Sequence, residues 1–407
     1  MKKEKKTYTF IDLFAGCGGL SEGFYRVGFK ALAHVEIDHF ASETLRTRMK
    51  HYGYKDWDEA VIEKDITSPD ILDCIKNVVR NRRVDVIVGG PPCQAYSTAG
   101  RVRDSEGMAK DPRNFLFESY VKILEYYKPK FFVFENVVGV LSAKVNGELI
   151  FPKIIEALGR FYKVTDSPKI LIHNTADFGV PQVRKRIIIM GVCKDLSEKE
   201  VEDLYDRVLK THWNPETPKE ERIGRKRFVS VREAIGDLPL VEPGCDASAN
   251  NFDYPCNNAF LKRIGRKGTY PLLDHIARKH NALDRERFVA MIQNHWSFGQ
   301  LRRNMPQYEH EHARVFDNSY VVQWWDLPSK TILAHIHKDG FQFIHPDANQ
   351  SRTFTVREAA RIQSFPDDFI FAGSRGEKFK QIGNAVPPLF AEALAKSIKN
   401  NLDDLVI

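Results

Sequence analysis

The feature of the sequence that most restricts its fold is a series of five short apolar runs between residues 7 and 195, separated by segments long enough for helices. The runs are TYTFIDLF, KALAHVEI, VDVIVGG, KFFVFENV and KRIIIMG. Runs rich in Val, Ile and Phe are typical of strands buried on both faces, as in the parallel sheet of an α/β domain. We therefore predict an α/β fold with a parallel sheet, and we expect ligands at the carboxyl ends of its strands.

Length and composition exclude several classes of protein. The 407 residues are 43% hydrophobic and 28% charged, which is typical of a globular protein with a substantial core. The sequence has no run of about 18 apolar residues, the length that a membrane-spanning helix needs. Its six cysteines form no CxxC pair, which favours free thiols in a reducing, cytoplasmic compartment. The net charge of +7 is compatible with a polyanionic partner but does not require one.

The region from residue 196 to about 350 has a different texture, with short strands that are difficult to place. Two basic clusters accompany aromatic residues there, a combination compatible with nucleic-acid binding, although each cluster alone is more typical of a solvated surface. Its histidine pairs HEH and HIH lack a matching set of carboxylates or cysteines, so we predict no metal. The basic clusters are Arg222, Arg225, Lys226 and Arg227, then Lys262, Arg263, Arg266 and Lys267, and the aromatic residues are Trp213, Phe228, Trp296, Trp324 and Trp325.

Three further signals concern helix ends. Ser230 is the predicted N-cap of a short helix, and Thr355 with Glu358 predicts a capping box at the start of a helix that ends before Pro366. Residues 381–388 read as a turn, followed by a final amphipathic helix that we expect to pack on the first domain.

A glycine-rich loop, Phe14-Ala-Gly-Cys-Gly-Gly19, follows the first predicted strand. Glu36 stands 20 residues after Gly16, at the end of the next strand, which is the spacing of an acid that binds ribose hydroxyls. The full dinucleotide fingerprint requires glycine at position 21, where this chain has Ser21. The spacing thus favours a nucleoside cofactor and leaves open a dinucleotide, an adenosyl cofactor without phosphate, or a purely structural turn.

Reactive side chains follow the later strands. Two prolines precede Cys93 and stiffen a turn that would expose its thiol, although a lone cysteine is more often a small buried hydrophobe. Glu135 ends its strand as a candidate proton donor, or alternatively as a helix cap or surface ion pair. Arg184 and Arg186 flank the last strand and could bind a planar polar group, although such residues are usually solvated.

Taken together and in this order, the motifs resemble those of the DNA cytosine carbon-5 methyltransferase family. FAGCGG is similar to the cofactor loop, Glu36 to the ribose-binding acid and Asp65-Ile66 to the adenine-edge pair. GGPPCQAYS resembles the motif that carries the nucleophile, and ENV and QVRKR resemble the two motifs that follow it. TVREAARIQ and QIGNAVPP resemble the last two motifs of the family. Several such matches in one order across nearly the whole chain are very specific.

The resemblance implies an α/β, Rossmann-like class I methyltransferase fold with a mostly parallel sheet, together with a smaller, mixed target-recognition domain. On this basis we expect residues 1–195 and 372–407 to form the catalytic domain and residues 196–371 the target-recognition domain, with the REAARIQ helix in the boundary region 351–371. The implied reaction adds Cys93 to carbon 6 of a flipped-out cytosine, while Glu135 binds ring N3, and methylates carbon 5. The segment 94–114 resembles the mobile loop that closes over the base.

The site residues are assigned from the motifs. The implied catalytic residues are Cys93, Glu135, Arg184 and Arg186. The implied S-adenosyl-L-methionine-binding residues are Phe14, Gly16, Cys17, Gly18, Gly19, Glu36, Ile37, Asp65, Ile66, Pro92, Leu116, Asn384 and Ala385. The implied substrate-binding residues are Gln94, Ser97, Asn136, Gln182 and Thr331.

The resemblance also implies that the partner is double-stranded DNA and that the protein is a monomer. We expect it in the bacterial cytoplasm or nucleoid, with no membrane association. A cognate restriction endonuclease is compatible with this interpretation. Two alternatives stay open from the sequence: a transfer-RNA cytosine-5 methyltransferase, which one branch of the family represents, and a catalytically silent DNA-binding relative.

Overall fold

The computed structural model describes residues 6–92, 115–145, 147–196, 199–265, 268–309 and 319–405. Its strands, in chain order, are β1 (Thr9–Leu13), β2 (Lys30–Glu36), β3 (Val61–Glu63), β4 (Val86–Gly89), β5 (Phe131–Val137), β6 (Lys144–Val145), β7 (Glu148–Leu149), β8 (Tyr162–Lys163), β9 (Ile172–Asn174), β10 (Gln182–Val183), β11 (Lys185–Cys193), β12 (His212–Trp213), β13 (Lys226–Arg227), β14 (Ala249–Tyr254), β15 (Gly268–Leu272) and β16 (Ser329–Lys330).

The α-helices are α1 (Gly19–Val27), α2 (His39–His51), α3 (Ile71–Val79), α4 (Leu116–Tyr127), α5 (Ile150–Gly159), α6 (Pro168–Leu171), α7 (Glu202–Asp206), α8 (Val231–Ile235), α9 (Leu261–Ile264), α10 (Ala282–Gln293), α11 (Phe298–Asn304), α12 (Val356–Ile362), α13 (Arg375–Asn384) and α14 (Pro388–Asp404). Short 3₁₀ helices lie at Val138–Ser142, Thr175–Phe178, Lys219–Arg222, Pro306–Tyr308, Ala334–His337 and Phe341–Phe343. Within the described ranges, no helix is both long and apolar enough to cross a membrane.

The chain divides into two compact units. The first comprises the described residues up to Phe178, Lys185–Lys210 and those from Val386 onward, and the second comprises Gly179–Arg184 and Thr211–Ala385. These bounds differ from the domain boundaries expected from the sequence, because residues 179–184 and 372–385 belong to the second unit and residues 196–210 belong to the first. The catalytic and target-recognition roles of the two parts stay a prediction.

The first unit is built on one central sheet with the strand order β3-β2-β1-β4-β5-β11-β8, and β9 also pairs with β11. Strands β1 to β5 run parallel to their neighbours in this sheet, whereas β11 runs antiparallel to β5, β8 and β9. The prediction of an α/β fold with a mostly parallel sheet is confirmed. Apolar residues of the predicted runs, among them Ile11, Ile87, Phe132 and Ile187, are fully buried in its core.

The last helix, α14, packs on α1, as the sequence predicted. Arg26 of α1 forms an ion pair with Glu392 of α14 at 3.3 Å. Phe390 is fully buried, and its ring centroid lies 4.8 Å from that of Phe178. The carboxyl-terminal segment of the chain therefore completes the unit that begins at its amino terminus.

The second unit combines small two-stranded sheets with short helices. The predicted N-cap Ser230 and the predicted capping box of Thr355 with Glu358 are confirmed, at the starts of α8 and α12. The structure adds that Ser230 forms a capping box with Glu233. Buried Arg352 forms two hydrogen bonds of 2.7 Å with the Glu358 carboxylate, so both charges of this interior pair are compensated. The predicted turn at residues 381–388 is partly wrong, because α13 continues to Asn384 before the two prolines end it.

Candidate active site

The glycine-rich loop follows β1 and is fixed by a carboxylate from the neighbouring strand. Glu36, the last residue of β2, accepts hydrogen bonds from the backbone N–H groups of Gly16 at 2.7 Å, Ile37 at 2.9 Å and Asp38 at 2.8 Å. The loop reverses direction at Gly18, whose φ of +88° is a conformation that glycine adopts without strain. Burial raises the pKa of Glu36, although the three N–H donors counteract this effect.

A second carboxylate occupies the amino-terminal end of α1. Asp12, which is 1% exposed, accepts hydrogen bonds from both the hydroxyl group of Ser21, at 2.5 Å, and its backbone N–H. Burial raises the pKa of Asp12 to about 7, and the nearby Glu36 contributes in the same direction. The position at which a dinucleotide fingerprint has its third glycine is therefore used to bind a carboxylate of the protein itself.

This arrangement limits which cofactor the loop can bind. The amino terminus of a helix normally attracts phosphate through its free N–H groups and its positive dipole. Here Asp12 already uses the N–H of Ser21, and Glu36 places a second carboxyl group beside the loop. The electrostatics disfavour a phosphate and are compatible with a nucleoside that carries positive charge. The sequence analysis missed Asp12; the signal for it was Ser21 in place of glycine.

The predicted adenine-edge residues follow two adjacent strands. Glu36 of β2 pairs with Glu63 of β3, so Ile37 and Asp65 both lie just beyond the carboxyl ends of these strands. The Ile37 side chain is 66% exposed, whereas Ile66 is buried. Asp65 accepts hydrogen bonds from the backbone N–H and the hydroxyl group of Thr67, both at 2.8 Å. The exposed Ile37 leaves an apolar surface beside the Glu36 carboxylate.

The predicted nucleophile, Cys93, lies outside the described residues, as do Gln94, Ser97 and the rest of the predicted mobile loop. The strand that leads to it is described: Gly89 of β4 pairs with Leu13 of β1 on one side and with Phe134 of β5 on the other. The Asn136 amide donates a hydrogen bond to the Pro91 carbonyl at 3.4 Å. Parallel pairing thus brings the glycine-rich loop, the Pro-Pro turn and Glu135 to the same edge of the sheet.

Glu135 is paired with Arg186 across an antiparallel contact. β11 lies against β5 with Arg186 opposite Val137, and the Arg186 Nε atom is 2.9 Å from Glu135 Oε1. Both side chains are largely buried, and the Arg186 Nη1 atom also donates to the Lys185 carbonyl at 2.7 Å. A charge-assisted bond in a partly dry environment holds the carboxyl group in one orientation. The structure therefore brings these two predicted catalytic residues together.

Three other predicted site residues lie in the second unit and do not share the surroundings of Arg186: Arg184, Gln182 and Thr331. Arg184 is 2% exposed and donates hydrogen bonds to the main-chain carbonyls of Ile332 and Gly383. Gln182 is fully buried and accepts a hydrogen bond from Ile332 N–H, and half-buried Thr331 donates its hydroxyl hydrogen to the Val183 carbonyl. Each of these side chains thus has contacts inside the protein.

The other predicted cofactor residues lie on both units. Phe14, with a φ of +57°, and Gly16 are half-buried in the loop, and Cys17, Gly18 and Gly19 are buried. Burial raises the pKa of the Cys17 thiol well above its usual range. Pro92 is exposed, and Leu116 is half-buried at the first residue of α4. In the second unit Asn384 is exposed at the last residue of α13, followed by buried Ala385.

The aromatic residues of the second unit hold several basic side chains: Arg222 and Arg227 of the predicted basic clusters, and Arg232, which lies outside those clusters. The guanidinium carbon of Arg222 lies 4.4 Å from the ring centroid of Trp213, and that of Arg232 lies 5.0 Å from Trp325. Arg227 stacks similarly on Phe228, at 4.5 Å. Stacked arginines keep their charge while losing side-chain freedom, which suits contact with phosphate groups. Arg266 and Lys267, and the histidines His310 and His312, lie outside the described residues.

Comparison with known proteins agrees with the motifs. The sequence profile of the C-5 cytosine-specific DNA methylase family matches residues 8–400. The chain is 36% identical to the type II methyltransferase M.DdeI of Desulfomicrobium norvegicum, over 95% of this chain and 88% of that protein. It is 33% identical to the type II methyltransferase M.Bpa9945I of Bacillus paralicheniformis, over 96% and 98% of the two chains.

A solved structure is similar as well. The crystal structure of a DNA modification methyltransferase encoded within an E. coli prophage superimposes with a TM-score of 0.69 at 25% identity. The match covers 98% of this chain and 100% of that one. The likeness thus extends over both compact units.

Proposed function

Because the chain belongs to the C-5 cytosine-specific DNA methylase family and is a DNA (cytosine-5-)-methyltransferase, we propose that it methylates one cytosine within a specific sequence of double-stranded DNA. The proposed methyl donor is S-adenosyl-L-methionine, and the proposed nucleophile is Cys93. A cognate restriction endonuclease and a monomeric state stay predictions.

The observation that carries the choice of cofactor is the pair of carboxyl groups around the glycine-rich loop. Glu36 is held by three N–H groups beside exposed Ile37, which suits a ribose and an adjoining adenine ring. Asp12 at the amino terminus of α1 disfavours a phosphate. When bound, S-adenosyl-L-methionine would supply an electrophilic methyl group on a positively charged sulfur. Phe14, Ile37, Asp65 and Ile66 would line its site.

The proposed chemistry overcomes the low nucleophilicity of cytosine carbon 5. The Cys93 thiolate adds to carbon 6, which breaks the 5,6 double bond and shifts electron density toward carbon 5 and the ring N3. In its protonated form, Glu135 donates a hydrogen bond or its proton to N3, so negative charge does not accumulate there, and a proton transferred to N3 returns to Glu135 when the ring is restored. After carbon 5 has been methylated, loss of its proton to a base and departure of the Cys93 thiolate restore the double bond.

Arg186 is proposed to orient Glu135 during this sequence. Its Nε atom already contacts Glu135 Oε1 at 2.9 Å, which restricts the orientation of the Glu135 carboxyl group. Asn136, whose amide contacts the Pro91 carbonyl, would keep the Pro-Pro turn close to the Glu135 strand. Proximity and orientation of these groups supply much of the expected rate acceleration.

The proposed substrate is a flipped-out base, because carbon 6 is inaccessible within a stacked duplex, and extrusion costs a few kcal/mol. Arg222, Arg227 and Arg232 are kept in place by aromatic rings and would contact DNA phosphates, which set the register of the protein on the duplex. A small number of side chains of the second unit would then read base edges in the major groove.

The proposal is tested by replacing Cys93. We expect Cys93→Ala to abolish methyl transfer while leaving binding of S-adenosylhomocysteine, measured by calorimetry, unchanged within about two-fold, because the thiolate attacks the base and not the cofactor. Cys245→Ala is the matched control, since Cys245 is an exposed free thiol in the second unit. Normal turnover by the Cys93 variant would refute the covalent mechanism.

A further inference from the structure

The second unit contains a cluster of buried polar side chains, which we call the hub, formed by Gln182, Arg184 and Gln363. The Gln182 amide oxygen accepts a hydrogen bond from Ile332 N–H at 2.8 Å, and its nitrogen donates to the Gln363 oxygen at 2.5 Å. Gln363 in turn donates to the main-chain carbonyl of Ala385 at 2.7 Å. The hub thus connects a segment at residue 332 with one at residue 385, more than 50 positions away in the sequence.

Arg184 makes the same connection with its guanidinium group. Nη1 donates to the Ile332 carbonyl at 2.7 Å, and Nη2 donates to the Gly383 carbonyl at 3.1 Å. Gly383 lies in the last turn of α13, where the negative end of the helix dipole favours a cation. The two segments touch directly, since a Cβ atom on Gly383 would stand 2.4 Å from the backbone nitrogen of Ala334.

The hub is buried, but the segments that it holds reach the surface. Thr331 is half-buried and Leu333 is 42% exposed on one side, and Asn384 is exposed on the other. The motif resemblance assigns substrate contact to Thr331 and cofactor contact to Asn384 and Ala385. A shift of either exposed segment on ligand binding would therefore act on the main chain to which the other segment is bonded.

We propose that Arg184 is a positioning residue that couples target DNA binding at residues 331–333 to cofactor binding at residues 384–385. This inference rests on the proposed function and assigns Arg184 a role different from that of Arg186, which contacts the Glu135 carboxylate. Coupling between two binding sites is reciprocal, so DNA raises the affinity for the cofactor by the same factor by which the cofactor raises the affinity for DNA. Factors of about 5 to 150 are typical.

The test measures that factor. Dissociation constants of S-adenosylhomocysteine are determined by calorimetry for wild type, Arg184→Lys and Arg186→Lys. Each is measured with and without a DNA duplex that contains the sequence that the protein methylates. Lysine keeps the charge of Arg184 but cannot bond two separated carbonyls at once in the same way. We expect Arg184→Lys to reduce the coupling factor to below about two.

Arg186→Lys is the matched contrast, and we expect it to slow the single-turnover rate by about ten-fold or more while the coupling factor is retained. The inference is overturned if Arg184→Lys retains the wild-type coupling factor, whether or not it slows methylation. If Arg184→Lys does not fold, Gln363→Met carries the test, because it removes the bond from the hub to the Ala385 carbonyl at a residue that is assigned to neither ligand. Full retention of coupling in this variant would overturn the inference.

Failure of the proposed function is distinguishable from failure of this inference. Coupling is measured by binding alone and needs no turnover. Absence of methyl transfer by the wild-type protein would refute the proposed function. If the wild-type protein methylates DNA and Arg184→Lys has the wild-type coupling factor, only the role of Arg184 is refuted.

Discussion

Replacement of Asp12 by asparagine should make the stability of the protein less dependent on pH. Asp12 is buried on β1, and its carboxyl group accepts hydrogen bonds from the hydroxyl and backbone N–H of Ser21. Burial raises its pKa from 3.8 to about 7. The folded protein therefore binds a proton at this group more tightly than the unfolded chain does, and the stability that the group contributes is full below pH 4.

That contribution is lost as the pH rises toward 7, because the unfolded chain releases the proton first. A pKa difference of about three units corresponds to about 4 kcal/mol, lost at about 1.4 kcal/mol per pH unit. Asparagine has no charge to bury, so Asp12→Asn removes this slope. The free energy of unfolding of the variant, relative to wild type, should rise by up to about 4 kcal/mol between pH 4 and pH 7.

The assay is urea denaturation of both proteins at intervals of half a pH unit from pH 4.5 to pH 8. Titrations elsewhere in the protein cancel in the difference between the two curves. Ser21→Ala is the control, because Ser21 lowers the pKa of Asp12 and its removal should extend the pH-dependent window upward. A difference between wild type and Asp12→Asn that stays constant across the whole range would refute the assignment of a buried, proton-binding Asp12.

Three further outcomes are expected. Glu36→Ala should weaken binding of S-adenosylhomocysteine by about 10- to 100-fold and DNA binding much less, by calorimetry; equal losses would indicate misfolding. Glu358→Gln should lower the free energy of unfolding in urea by about 3–5 kcal/mol. Burial would raise the pKa of Glu358, but Arg352 holds it well below its usual range, so wild type should lose stability as the pH falls below about 4.5. The same loss of stability at low pH in the variant would contradict this reasoning. Phe390→Ala should cost about 3–5 kcal/mol, because it leaves a cavity beside Phe178; a loss below 1 kcal/mol would show that the site collapses.

The sequence predicted the parts of the fold that depend on local pattern. The five apolar runs became strands of one sheet, because fully buried strands need continuous apolar residues whatever their neighbours are. The same pattern carries no direction, so the antiparallel orientation of β11 was not predicted. The capping boxes at Ser230 and Thr355 were predictable because their hydrogen bonds span only three residues.

Interactions between distant residues were beyond a local pattern. Arg184 and Arg186 are equivalent in the motif, yet Arg186 pairs with Glu135 while Arg184 bonds carbonyls 148 and 199 positions away. The role of Asp12 also depends on packing, since the strand residue meets Ser21 only after the loop has turned. Motif spacing thus selected the candidate residues, and tertiary contacts decided which of them lie next to one another.

The central claim, methylation of cytosine at carbon 5 within a specific DNA sequence, is tested most directly in a host that lacks cytosine methylation. The protein is expressed there with Cys93→Ala as the inactive control, and the host DNA is sequenced after bisulfite treatment. We predict protected cytosines at one position of a single recurring sequence in cells with the wild-type protein and none in the control. Complete conversion of every cytosine, from cells that contain folded protein able to bind S-adenosylhomocysteine, would contradict the claim.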